Sequence, residues 1–161
     1  MKALIFMVAI GAGIGLMWPT GNAPAPAAPA GPAAASSAPA KPIETRLERT
    51  PGGHFYVNGE VNGQLVSFVV DTGATAVALT QEDARRVGIA FSPGEFDVIG
   101  TGASGPVRGK ILMLDKVSID GKEVTAVRGA VLEGLDVSLL GQSYLSRIGG
   151  VEMSGDTMRL K

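Results

Sequence analysis

The chain has 161 residues, a formal net charge of −1, one histidine and no cysteine; this fits one domain with appendages and excludes disulfides, thiol catalysis and cysteine metal sites. The near-neutral balance, without a basic cluster, argues against a nucleic-acid partner. No metal or other cofactor is implied: His54 beside Gly52-Gly53 reads as a surface or strand-end residue, and no Gly-x-Ser-x-Gly elbow accompanies it.

Met1-Lys2 opens onto Ala3 to Trp18, sixteen uncharged and mostly apolar residues. A helix of that length spans about 24 Å against a hydrocarbon core of about 30 Å, enough to anchor with local thinning. Residues 1–18 are therefore expected to be a membrane anchor, with Lys2 inside and the remainder on the extracytoplasmic side. The alternative is a signal peptide cut after Gly21-Asn22-Ala23 with release to the periplasm, a cut that Pro24 disfavours. Residues 19–42 hold seven prolines and ten alanines, with no charge before Lys41. Such a stretch prefers extended polyproline-like conformations and serves as a spacer. Charges return at Lys41 and from Ile43 the pattern becomes that of short strands; the linker is set at 19–50 and the folded domain at 51–161.

Within the domain, His54 to Val61 alternates apolar and polar residues, Asn62-Gly63 signals a tight hairpin, and Gln64 to Val70 is the return strand. That strand runs as Phe68-Val69-Val70-Asp71-Thr72-Gly73-Ala74-Thr75. A buried strand that ends on a carboxylate and turns sharply through Thr-Gly plants one acid at the floor of a cleft. This is the layout of an aspartic protease half-site. In that chemistry two carboxylates share a single proton because like charges so close cannot both ionise; one is base to a water and the other polarises the scissile carbonyl. Each acid must be rigidly placed: Thr72 offers a hydroxyl to a partner loop, and Gly73 lets backbone approach closely.

Ala76 to Leu79 reads as a short strand, and Thr80 with Asp83 caps a helix of about seven residues that Gly88 ends. Phe96 to Gly100 and Val107 to Leu114 flank Ile99-Gly100-Thr101-Gly102-Ala103-Ser104-Gly105, a hairpin of small residues suited to a flap over substrate. Val98 and Ile99 are candidate pocket walls, whereas Val77 and Leu79 read as core. Lys116 to Ile119 and Lys122 to Val127 form a hairpin at Asp120-Gly121, and Gly129 to Leu132 leads to Leu139-Leu140-Gly141-Gln142-Ser143-Tyr144-Leu145. Leu139, Leu140 and Gly141 are expected to pack beside the acid loop and to start a helix of about six residues closed by Gly149-Gly150. Val151 to Leu160 is a last hairpin turning at Gly155-Asp156. No internal repeat is evident.

In these motifs and their order, residues 52 to 161 resemble the retropepsin-like aspartic proteases, and within them the bacterial, membrane-tethered, single-domain group. In the retroviral enzymes an apolar strand enters Asp-Thr-Gly-Ala, a flap reads Met-Ile-Gly-Gly-Ile-Gly-Gly, and a late segment reads Leu-Ile-Gly-Arg before a helix. The resemblance implies an all-β, barrel-like single lobe with one or two short helices. It departs at two linked places and in the flap: the acid two positions after the motif glycine and the Arg after the late glycine form an ion pair in the retroviral enzymes, whereas Thr75 and Gln142 stand here, and the flap lacks the central Ile and carries Ala103-Ser104 instead.

One Asp-Thr-Gly and no Asp-Ser-Gly are present. The resemblance therefore implies an aspartic endopeptidase active as a homodimer on protein or peptide substrates. Asp71 is its catalytic acid and Thr72, Gly73 and Ala74 support it. Ala74 cannot give the carboxylate a hydroxyl hydrogen bond, so cleavage is expected at weakly acidic to near-neutral pH. The alternative is a non-catalytic dimerisation or peptide-binding module of the same fold.

Overall fold

The computed structural model describes residues 41–102 and 105–161. The expected anchor (1–18), most of the linker, and flap residues Ala103 and Ser104 lie outside the described residues. Among the described residues no helix is long and apolar enough to cross a membrane.

Period-two alternation and turn chemistry set the elements. In chain order they are β1 (Thr45–Glu48), β2 (Tyr56–Val61), β3 (Gln64–Val70), β4 (Val77–Leu79), α1 (Gln81–Arg86), β5 (Asp97–Gly102), β6 (Gly105–Ile119), β7 (Lys122–Leu132), β8 (Ser138–Leu140), α2 (Gln142–Leu145), β9 (Val151–Ser154) and β10 (Thr157–Leu160). Both two-residue turns read from sequence are left-handed at both positions: Asn62 and Gly63 have φ of 52° and 81°, Asp120 and Gly121 of 47° and 77°. That geometry matches the twist of the flanking strands. Thr80 caps α1 by accepting from the Asp83 amide at 3.0 Å, and Gly88 ends it at φ 80°.

The main sheet runs β2-β3-β8-β4-β7-β6-β5, and a further β2–β6 pairing closes six strands into a barrel. The resemblance's all-β, barrel-like lobe is the observed fold. Its interior is filled by Val61, Val66, Phe68, Val77, Leu79, Leu114, Val117, Val127, Val131 and Leu140, all at or near zero exposure; each contributes about 1.5–3 kcal/mol by leaving water. Val77 and Leu79 are core, as read. The closure needs Gly59, where a Cβ would strike the Ile119 side chain and lie 2.9 Å from the Ser118 carbonyl oxygen.

Four elements differ from the reading. Val107–Leu114 and Lys116–Ile119 are one strand, β6, and Lys122–Val127 and Gly129–Leu132 are one strand, β7. The ladder passes from Leu114↔Val127 to Lys116↔Thr125 in unchanged register, with Ala126 between them at φ 49°. Helix α2 has four residues where about six were expected. Finally, β1 falls inside the stretch assigned to the linker yet pairs with β10 in a second sheet, β1-β10-β9. Two anchors fasten it. The Ile43 amide donates to the Asp120 carbonyl at 3.1 Å, and the buried Lys122 ammonium donates to the Ile43 carbonyl and, at 2.8 Å, to Thr45 Oγ1. Ordered structure thus begins ahead of residue 51.

A repeat absent from the sequence reading is present in the topology. Shifting residue numbers by 61 carries β4 (Val77–Leu79) onto β8 (Ser138–Leu140) and the start of α1 at Gln81 onto that of α2 at Gln142. The pairings obey the same shift: Phe68↔Ser138 and Val77↔Gly129 are parallel and exchange under it, while Ala78↔Leu139, antiparallel, maps onto itself. Two strand–turn–strand–helix units are therefore related by an approximate twofold passing between Ala78 and Leu139.

Candidate active site

Strand β3 ends where its partner β8 still offers an acceptor. The Asp71 amide donates to the Leu140 carbonyl at 3.1 Å, extending the parallel ladder by one bond. The chain then turns: the Asp71 carbonyl accepts from the Ala74 amide at 3.2 Å, and its carboxylate Oδ1 accepts from the Gly73 amide at 2.9 Å. A carboxylate that caps the amide two residues on is held by its own turn. Asp71 and Ala74 are half-buried, and Thr72 and Gly73 are exposed.

The second motif holds this turn from behind. Gly141 sits so close that a Cβ there would run into the Ala76 carbonyl oxygen and lie 2.7 Å from that of Ala74. From Gly141 the backbone enters α2. The Gln142 amide donates to the Ala74 carbonyl at 2.8 Å, the Ser143 amide to that of Thr75 at 3.0 Å, and Gln142 Nε2 to that of Thr72 at 2.9 Å. Ser143 Oγ accepts from the Val77 amide at 3.0 Å and donates to the Arg128 carbonyl at 2.7 Å. Leu140 and Gly141 thus meet the acid turn through the Asp71 amide and the Ala74 and Ala76 carbonyls, and Leu139 pairs with Val69 and Ala78. At the two places where the resemblance breaks, a neutral amide of Gln142 ties the acid loop instead of an ion pair. Below it Tyr144 is buried, its hydroxyl donating to the Lys122 carbonyl at 2.8 Å, and burial pushes its phenol well above the usual range.

The expected flap is the β5–β6 hairpin, paired as Gly102↔Gly105, Thr101↔Pro106 and Gly100↔Val107. Ile99 sits at a bulge between Val98 and Gly100 and is half-buried, whereas Val98 is 63% exposed.

An apolar row on the barrel's outer face went unread in the sequence. Tyr56, Val69, Leu139, Ala78, Ala130 and Ile111 are successive cross-strand partners, alternating along their strands with interior residues such as Val57, Val70, Leu140 and Leu79. One step further along that alternation from Val69 is Asp71. The acid thus stands at the border of an apolar floor, with no second acid at the related place: under the 61-residue shift Asp71 becomes Leu132. This one turn presents a fixed carboxylate. Alone, it cannot divide the roles of acid and base.

The sequence model of the family described as "gag-polyprotein putative aspartyl protease" matches residues 57–147. An uncharacterised protein, RP867, of Rickettsia prowazekii is 37% identical over 118 residues, covering 73% of this chain and 51% of its own length. An uncharacterised Sinorhizobium protein, from the cobV 5′ region, is 36% identical over 121 residues, covering 73% and 52%. The chain spans about half the length of these curated relatives. Among solved structures, a retropepsin-like aspartic protease from Rickettsia conorii superposes with a TM-score of 0.63 at 38% identity, covering 73% of this chain and 90% of that one. The protease of EIAV, solved with the inhibitor HBY-793, superposes at 0.51 with 19% identity over 62% and 91%, a likeness of fold. With the family model running from β2 through α2, the Asp71 turn and the β5–β6 hairpin included, this chain belongs to the retropepsin-like aspartic protease family.

Proposed function

We propose that this protein is an aspartic endopeptidase that works as a homodimer, each subunit supplying Asp71. The observation that carries the proposal is the turn itself: one carboxylate, fixed by the Gly73 amide and backed by Gln142 and Gly141, whose counterpart in the internal repeat is Leu132. A dyad therefore needs a second chain, and a symmetric dimer, the commonest oligomer, supplies it. With one proton between the two carboxylates, the ionised one takes a proton from a water molecule and the protonated one donates toward the scissile carbonyl oxygen. The water oxygen bonds to the carbonyl carbon. Collapse of the resulting diol breaks the C–N bond, with a proton delivered to the leaving amine. Thr72 braces the paired turns, Gly73 leaves room for substrate backbone, and the β5–β6 hairpin covers it. Val69, Ala78 and Leu139 are the apolar floor for substrate side chains.

The test is cleavage of casein and of a mixed peptide library by wild type and Asp71→Asn, with the oligomeric state of both followed by sedimentation. Cleavage is expected from the dimeric wild type and not from the equally dimeric variant; undiminished cleavage by Asp71→Asn, or cleavage by a strictly monomeric chain, refutes it. Tethering through residues 1–18, with the domain outside the cytoplasm, belongs to the same proposal. It is tested by fractionating cells that express the full chain and by protease accessibility of the domain.

A further inference from the structure

Where β6 leaves the flap and β7 runs into the turn before β8, the structure holds an open cavity of about 400 Å³. Its walls are Val107, Leu132 and Leu135, with Gly102 and Gly105 at the flap side. Two charged side chains reach it, Arg108 and Glu133, opposite each other across the strands, with the Glu133 amide donating to the Arg108 carbonyl at 2.9 Å. Arg108 Nη1 stands 3.4 Å from Glu133 Oε2, and both side chains are about half exposed. The two partners are unequally satisfied. Arg108 also donates through its other terminal nitrogen, Nη2, to the Phe96 carbonyl at 2.8 Å, a hold independent of Glu133. Among the described residues the Glu133 carboxylate has this one long contact, outside the 2.7–2.9 Å of a strong charge-assisted bond, and a carboxylate has room for several donors.

We infer that this cavity is a substrate subsite for a lysine or arginine side chain, its aliphatic stem lying along Val107, Leu132 and Leu135 and its cationic head on the Glu133 carboxylate. The inference rests on the peptidase reading, to which it adds a substrate class. Apolar walls ending in an under-coordinated acid suit a long amphipathic cation, which buries its methylenes and keeps its charge at the rim. Arg108 acts as competitor for the same carboxylate: the guest must displace a 3.4 Å contact, and Arg108 stays held by Phe96 when it does. The two charges therefore have opposite effects on selection. Removing Glu133 removes the acceptor, whereas removing Arg108 frees the acceptor and takes away a like charge.

The experiment is library cleavage by the full-length chain, followed by kcat/KM on matched peptides carrying Lys, Arg or a neutral isostere at the selected position. The proteins are wild type, Glu133→Gln and Arg108→Gln. Wild type is expected to enrich Lys and Arg at one position; Glu133→Gln should cut kcat/KM for the basic peptides by roughly tenfold and spare the neutral ones, the worth of one charge-assisted bond. Arg108→Gln should raise the basic preference. Peptide cleavage without basic enrichment, or both variants shifting selection in the same direction as a merely structural ion pair would, overturns the subsite and leaves the peptidase reading standing. A wild type that cleaves nothing overturns both.

Discussion

The acid turn and the start of α2 are held together at one residue, so replacing Gly141 by Ala tests the whole arrangement. Its backbone φ of −101° is open to any residue, and conformational strain is not the issue. The cost is contact: the new methyl would meet the carbonyl oxygens of Ala76 and Ala74 and the Ala76 carbonyl carbon, all backbone atoms that cannot swing aside as a side-chain end would. Either α2 retreats or the turn 72–76 does. Retreat stretches the bonds from the Gln142 and Ser143 amides to Ala74 and Thr75, each worth about 1 kcal/mol, and overpacking adds about 1–3 kcal/mol. The sum is about 3–5 kcal/mol, a large share of the roughly 5–15 kcal/mol that holds a domain.

The assay is urea unfolding of the folded domain followed by tryptophan-independent far-UV circular dichroism, with peptide cleavage measured on the same samples below the transition. Gly141→Ala is expected to lower the midpoint without changing the slope, and to lower kcat further than the remaining folded fraction explains, because the turn that carries Asp71 has moved. A variant that unfolds within about 0.5 kcal/mol of wild type, the range of an ordinary surface change, and cleaves at the wild-type rate refutes the reasoning.

Ser143→Ala removes one hydroxyl that both accepts from the fully buried Val77 amide and donates to the Arg128 carbonyl; stability should fall by about 1–3 kcal/mol, and an unchanged unfolding midpoint contradicts it. Ala126→Gly should stabilise, since φ of 49° costs alanine about 1–2 kcal/mol and glycine's unfolded-state entropy takes back about 0.4–1 kcal/mol; a lower midpoint speaks against the strain. Tyr144 gives a pH prediction. Its phenol is raised by burial, so its contribution is complete below the unfolded value near 10 and is lost as pH rises through the folded one. Tyr144→Phe should be about 1 kcal/mol less stable than wild type at pH 7, for want of the bond to Lys122, and the gap should close above pH 10. Lys122, lowered by burial, gains stability as pH climbs toward its unfolded value, but it is common to both proteins and cancels. A gap constant from pH 7 to 11 in urea titrations refutes the assignment.

The legible parts of the chain were those whose physics is local. Asn62-Gly63 and Asp120-Gly121 dictate their turns, Thr80 and Asp83 their cap, and an apolar strand running into Asp71-Thr72-Gly73 announces a fixed acid. Parts assembled across strands were not legible. Val69-Val70 and Leu139-Leu140 are apolar at consecutive positions, so alternation gives no sign of which member faces inward; the register does, sending Val70 and Leu140 to the core and Val69 and Leu139 to the floor beside Asp71. Arg108 and Glu133 are 25 residues apart and meet only because β6 and β7 pair. The short-strand pattern from Ile43 is legible, but four residues after a proline-rich stretch do not show that they belong to the domain until β10 takes them up.

The internal repeat was hidden for a different reason, and that reason bears on function. Across residues 69–88 and 130–149 only six of twenty positions are identical, Val70, Gly73, Leu79, Gln81, Arg86 and Gly88 with their counterparts. These are core, turn and helix-boundary positions, which is what keeping one backbone requires. The two turns have otherwise parted company. The turn bearing Asp71 is tied by three bonds from Gln142 and Ser143, while among the described residues no equivalent bond runs from Gln81 or Glu82 to the turn bearing Glu133. A catalytic carboxylate must be held to a fraction of an ångström, whereas the turn bearing Glu133, the inferred seat of one long flexible side chain, carries no such ties among the described residues. The same strand–turn–strand–helix unit thus serves twice in one barrel, stiffened where an acid must be aimed and left freer where a guest must fit. The stiffened copy occurs once among the described residues, which is why the proposed peptidase takes its second aimed acid from another molecule.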